Sequence, residues 1–346
     1  MLKYMGSIND GTIVIIRKIW CFIMKKYVTA AVFLIVSILF TACSAKKEES
    51  PVKSTEAVTE SSAAKEDNEE NTGGKLKVYT SFYPLYDFAV KIGGDKIKVT
   101  NLVPAGTEPH DWEPATTDII SLEKGDILIY NGAGLEHWVE QVTSSLENKE
   151  LLLVNASDGI TLLKGNEKEK GVNGYDPHIW LSVTNAKKEM ENIKNALVKA
   201  DPDNKDFYEA NYVKYGAEFD TLDAKFKEEL SALPGKDIVV AHQAFAYLCS
   251  DYGLNQVAIE GLAADSEPDA KRMAEIVDFA REKNIKTIFF EELVSPKVAQ
   301  AIASEIGAST DVLNPLEGLT QEQLNAGEDY LTVMEENLHA LVKALQ

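Results

Sequence analysis

Positive charge is in short supply: 35 lysines and arginines face 55 aspartates and glutamates, a formal net charge of −20 at pH 7. That balance excludes a nucleic-acid binder, which needs basic patches to meet phosphates. Acidity suits a soluble protein that handles cations, although it is first of all a solubility device. The chain has no internal repeat, no glycine-rich phosphate loop, no Walker motif and no HExxH helix, so the usual nucleotide-binding and zinc-peptidase signatures are missing. Cysteine is scarce as well, with only Cys21, Cys43 and Cys249. Once an N-terminal signal is removed, no pair is left free to form an internal disulfide, and the fold must stand on its core. At 346 residues the chain is long enough for two lobes with cores of their own.

What is present begins with an export signal. Met24-Lys25-Lys26 is followed by an apolar run from Val28 to Leu39 and then by Phe40-Thr41-Ala42-Cys43. A basic start, a short apolar stretch and a small-residue cleavage site make a secretory signal. A cysteine directly after that site resembles the lipobox of bacterial lipoproteins, in which the thiol carries lipid, although Phe40 stands where leucine is usual. The apolar run is short for the ~20 residues of a membrane span. Translation is expected to start at Met24, with residues 1–23 an upstream extension. Residues 44–74 are rich in Glu, Lys, Ser, Thr and Ala and end in Gly73-Gly74, which reads as a disordered acidic tether between anchor and folded domain.

From Lys75 onward, strand-like and helical segments alternate. Strands are expected at Leu76–Ser81, Ile97–Val103, Ile127–Tyr130 and Leu151–Val154, with helices at Pro84–Ile92, Thr116–Glu123 and Leu135–Leu146. Residues 185–233 read as amphipathic helix, punctuated at Asp201-Pro202-Asp203. The piece from Asp206 to Leu230 would be ~37 Å long at 1.5 Å per residue. Alternation resumes with strands at Asp237–Ala241, Gln256–Ile259, Thr287–Phe290 and Thr310–Leu313, and helices at Asp269–Arg281, Pro296–Ile306 and Glu322–Leu345. The fold class is therefore α/β: two lobes (75–184 and 234–346), each with a mostly parallel sheet flanked by helices, joined by one long helix.

Three of the five histidines sit beside strand-like runs, in Glu108-Pro109-His110-Asp111-Trp112, Asp176-Pro177-His178-Ile179-Trp180 and Ala241-His242-Gln243-Ala244-Phe245. Neutral imidazole is the commonest protein ligand for a borderline-soft divalent cation. In open α/β sheets ligands bind beyond the carboxyl ends of strands, where His110, His242 and Glu317 fall, with His178 in the turn leading into the helical region. All four are expected to face one cleft. His137 and His339 lie on helical patterns away from strand ends and read as surface residues.

The segment from Lys75 to the C-terminus resembles the zinc/manganese-binding solute-binding lipoproteins of bacterial ATP-binding-cassette importers. The resemblance rests on Tyr79-Thr80-Ser81-Phe82-Tyr83-Pro84, Pro109-His110-Asp111-Trp112-Glu113-Pro114, Asn131-Gly132-Ala133-Gly134-Leu135-Glu136, Asp176-Pro177-His178-Ile179-Trp180-Leu181, His242-Gln243-Ala244-Phe245-Ala246-Tyr247 and Leu313-Asn314-Pro315-Leu316-Glu317, in order. It implies that His110, His178, His242 and Glu317 hold Zn²⁺ as transported cargo. It further implies a monomer anchored through Cys43 to the outer face of the bacterial cytoplasmic membrane, and an ABC permease as partner. Manganese members carry a carboxylate where His242 stands. A nitrogen-rich shell therefore favours zinc over the harder Mn²⁺, with a manganese- or iron-binding member as the alternative. Glu108, Asp111 and Glu291 are candidates to orient the imidazoles. Many zinc members carry a histidine-rich loop before His178; residues 163–171 here contain no histidine.

Two other classes compete. A zinc hydrolase would use three protein ligands and a water, but Glu317 as a fourth ligand closes the shell, and the reading is of a protein that is not an enzyme. A surface adhesin for cell adhesion would use the metal as a structural staple, without which it would not fold.

Overall fold

Short apolar runs separated by amphipathic stretches fold into two sheets of four parallel strands, described by a computed structural model over residues 74–165, 174–262 and 268–346. The signal segment with Met24 and Cys43, residues 1–23, the tether up to residue 73 and residues 166–171 of the histidine-free loop lie outside the described residues. Among the described residues, no helix is long and apolar enough to cross a membrane.

The first sheet has the order β2-β1-β3-β4, with β1 Leu76–Thr80, β2 Ile97–Asn101, β3 Ile127–Tyr130 and β4 Leu152–Asn155. The second repeats it as β6-β5-β7-β8, with β5 Asp237–Val240, β6 Asn255–Ala258, β7 Thr287–Phe290 and β8 Ser309–Val312. The inner strands are apolar without alternation because helices cover both faces: Ile127, Leu128 and Ile129 are buried, as are Ile238, Val239 and Val240. Strand order reverses between β1 and β3 and between β5 and β7, and crevices for ligands open at the carboxyl ends there.

Helices α1 (Tyr83–Gly93), α2 (Thr116–Leu122) and α3 (Val139–Ser145) serve the first sheet. Next come α4 (Val183–Ala200) and α5 (Lys205–Ser231), separated by a 3-10 turn at Pro202–Asn204. Helices α6 (Ala246–Tyr252), α7 (Ala270–Glu282), α8 (Lys297–Ile306), α9 (Gln321–Ala326) and α10 (Tyr330–Leu345) serve the second sheet. At ~1.5 Å per residue α5 runs ~40 Å. It packs on α1 and α4 on one side and on α6 and α10 on the other, burying Tyr208, Phe219, Leu222, Phe226 and Leu230 in a core shared by both lobes.

Two expectations need correction, and one helix had no expectation to match it. The helix expected from Leu135 to Leu146 begins only at Val139, because Gly132, Ala133 and Gly134 all take positive φ in a turn. The Glu136 carboxylate closes that turn by accepting the Asn131 and Gly132 amides at 2.7 and 3.0 Å. The helix expected from Glu322 to Leu345 is two: Gly327, at φ 84°, ends α9, and the Asp329 side chain caps α10 by accepting the Thr332 amide at 2.9 Å. Helix α6 was not expected at all. Its seven residues are too few for periodicity to stand out.

Candidate metal centre

His110 rides on the loop between β2 and α2, His178 on the turn before the 3-10 segment Ile179–Leu181, His242 just beyond β5, and Glu317 on the loop after β8. In each histidine's case a carboxylate accepts the backbone amide: Glu108 for His110 at 3.0 Å, Asp176 for His178 at 2.9 Å and Glu291 for His242 at 3.2 Å. The first two pairs are acid-Pro-His sequences, in which the proline stiffens the turn between the acid and the amide it receives.

These supports bring four donor atoms together. His110 Nε2 lies 3.1 Å from His178 Nε2 and 3.0 Å from Glu317 Oε1. His178 Nε2 lies 3.1 Å from Glu317 Oε1 and 3.2 Å from His242 Nε2, and His242 Nε2 is 3.3 Å from Glu317 Oε1. A tetrahedron whose centre is ~2.05 Å from each corner has edges of ~3.3 Å; five of the quartet's six edges are 3.0–3.3 Å, and all four atoms lie within 4.8 Å of one another. His178 and His242 are fully buried and Glu317 is 2 % exposed. His110 forms the rim, its side chain 11 % exposed.

The far sides of the rings fix which nitrogen faces inward. His178 Nδ1 is 2.8 Å from Asp176 Oδ1, and His242 Nδ1 is 2.6 Å from Glu291 Oε1. A carboxylate can only accept, so each Nδ1 carries the proton and each Nε2 turns a lone pair to the centre. Lone pairs and a carboxylate oxygen at this spacing repel unless a cation or added protons lie among them. Titration behaviour follows. Burial opposes charging of His178, but the Asp176 and Glu317 carboxylates outweigh it and its pKa is raised. At His242, burial is outweighed by Glu291 and Glu317, and the pKa is raised well above the ordinary value. Glu317 is held well below the usual carboxylate range, because His242 and His110 outweigh the cost of its burial.

Glu317 is positioned by an unusual loop. Leu316 is fully buried at φ 56°, a left-handed backbone that costs a non-glycine residue about 1–2 kcal/mol. The loop is held by Asn314, whose side chain accepts the Leu316 amide at 2.8 Å, while Asn337 of α10 brackets the Asn314 backbone at 2.8 and 2.7 Å. Trp180 donates its indole N–H to the Pro315 carbonyl at 2.7 Å and packs on the His178 ring, centroids 5.3 Å apart. Asn131 donates to the Pro177 carbonyl at 2.9 Å, tying the β3 end to the His178 turn.

Of the three orienting candidates, Glu291 contacts an imidazole directly, and Glu108 bonds to the His110 backbone. Asp111 is exposed and makes no hydrogen bond to a site imidazole among the described residues. Asp176 was missed as an orienter, although the same acid-Pro-His pattern at Glu108 offered the signal. His137 and His339 are exposed and stand apart from the quartet.

Residues 78–344 match the family described as the periplasmic zinc-uptake complex component A. The high-affinity zinc uptake system protein ZnuA of Bacillus subtilis (strain 168) is 42 % identical over 285 residues, covering 80 % of this chain and 89 % of that protein. The zinc-binding lipoprotein AdcA of Streptococcus pneumoniae (strain ATCC BAA-255 / R6) is 40 % identical over 283 residues, 79 % of this chain but only 56 % of that longer protein. The crystal structure of the Zn(II)-bound ZnuA-like domain of Streptococcus pneumoniae AdcA superposes with a TM-score of 0.71 at 40 % identity, covering 79 % of this chain and 99 % of that one.

Proposed function

Because the chain belongs to the zinc-uptake component A family, we propose that it captures Zn²⁺ outside the cytoplasm with His110, His178, His242 and Glu317 and passes it to an ABC permease for import. One observation carries the reading: three imidazole nitrogens and a carboxylate oxygen lie within 4.8 Å of one another, five of their six separations 3.0–3.3 Å, with two of the rings held by carboxylates on their far sides. The shell is rich in nitrogen, which favours zinc over manganese. Glu317 as fourth donor closes the coordination that a hydrolase leaves open for water, so the protein is a carrier and not an enzyme. Its lobes comprise residues 75–184 and 234–346, with 185–233 as the helical region between. It works as a monomer on a lipid anchor at Cys43, at the end of the 44–74 tether.

The test is competition between zinc and manganese for the purified protein and a His242→Glu variant. The wild type is expected to hold zinc against excess manganese, and the variant to lose most of that preference. An unchanged preference in the variant removes His242 from the role assigned to it.

A further inference from the structure

Away from the quartet, three charged side chains from two lobes meet at a junction in which two of them are nearly buried. Lys91 of α1 places Nζ 2.7 Å from Asp87 Oδ1 of the same helix and 2.8 Å from Asp329 Oδ2, at the start of α10 in the other lobe. The Lys91 and Asp87 side chains are only 9 % and 10 % exposed. Asp329 also caps α10 through its other oxygen, so its position is fixed relative to that helix. The neighbouring residue, Tyr330, packs between Phe88 of α1 and Phe219 of α5, at centroid distances of 5.0 and 5.2 Å. Its hydroxyl donates to the Trp180 carbonyl at 2.6 Å.

This junction connects to both halves of the quartet. Trp180 packs on His178 and donates to Pro315 in the Glu317 loop, and Asn337 of the same α10 brackets Asn314. Parting α1 from the α10 start would strip Asp329 of its ammonium and leave Lys91 with Asp87 of its own helix as its one remaining carboxylate partner. The Asp329 side chain is 33 % exposed but that of Lys91 is nearly buried, so loss of this partner falls on an ammonium that little water can reach. The lobes are thereby biased to the arrangement in which the quartet is assembled.

We propose that Lys91, with Asp87 and Asp329, is an inter-lobe ion lock that slows zinc release by holding the Glu317 loop and the His178 turn in register. The three are positioning residues, since none lies in the quartet. This rests on the zinc reading above.

The test measures zinc dissociation into excess chelator from the full-length protein, for wild type, Lys91→Met, Asp329→Asn and the double variant. Methionine keeps most of the apolar stem of lysine, and asparagine remains a good helix cap, so each variant removes charge more than shape. Each single variant is expected to release zinc about tenfold faster, and the double variant no faster than Lys91→Met, because that change already removes the inter-lobe contact that Asp329→Asn weakens. A purely structural role would instead lower the apo melting temperature and leave the release rate alone. Release within twofold of wild type in both single variants, or effects that multiply in the double, overturns the lock. A wild type that takes up no zinc overturns the proposed function first, and the lock with it.

Discussion

At the scale of single residues, the chemistry lies in pairs. His178 with Asp176 and His242 with Glu291 are imidazoles whose protonated nitrogen is committed to an acid, leaving the Nε2 lone pair turned to the centre of the quartet. Asp176→Asn and Glu291→Gln are each expected to weaken zinc binding by roughly 10–100-fold with the fold intact, measured by chelator competition; wild-type affinity in both would remove the orienting role. The pH dependence has a definite sign. His178 and His242 are raised above the ordinary 6.5, so in the metal-free protein their contribution to stability is complete below about that pH and is lost as pH rises through the folded values. Glu317 is lowered, so its contribution is present above the ordinary 4.5 and disappears as pH falls through its folded value. Zinc must displace the imidazole protons. The rise in melting temperature on adding zinc should therefore grow steadily between pH 5.5 and pH 8, and a rise independent of pH would contradict the pairing. The ligand candidates were legible because their residue types and places beside strands both point to metal. Asp176 was not, because the acid-Pro-His pattern it shares with Glu108 marks a carboxylate near the histidine without telling an acid that contacts the ring from one that only closes the turn.

Elements bring these residues to one place through local backbone choices. The turn Asn131–Glu136 is built on Gly132 at φ 78°, where an added Cβ would lie 2.3 Å from the Asn155 side-chain oxygen. Gly132→Ala should destabilise the protein by about 1–3 kcal/mol, read as a lower urea midpoint; an unchanged midpoint would mean the turn is freer than its hydrogen bonds imply. Strands such as Ile127–Tyr130 and Thr287–Phe290 were readable to the residue, since apolar β-formers bounded by polar residues admit few other states. Helix limits were harder. Gly327 and Asp329 are ordinary helix-end residues, yet an apolar pattern continuing across them concealed the break between α9 and α10. The left-handed Leu316 was beyond sequence reasoning altogether, because leucine carries no signal for positive φ and the conformation is imposed by Asn314, Asn337 and Trp180.

For the whole molecule, two sheets share one strand order, loops from both halves supply the quartet, and α5 packs on both lobes. The alternation of strands and helices made this α/β plan legible. The shared order β2-β1-β3-β4 and β6-β5-β7-β8 was not, since sheet order depends on which strands pair and the halves show no sequence repeat. A core that spans both lobes without help from metal leads to an expectation about the cargo. The zinc-free protein should keep its near-ultraviolet circular dichroism, and zinc should add stability only by mass action. Collapse of that signal on removing zinc would make the metal a staple. The most direct measurement is a zinc competition titration on the wild type and Glu317→Ala at neutral pH, with both metal-free forms checked for folding. One tightly held zinc per wild-type chain, weakened by more than about 100-fold in the folded variant, is the expected result. Equal affinity in the two would contradict a site closed by Glu317.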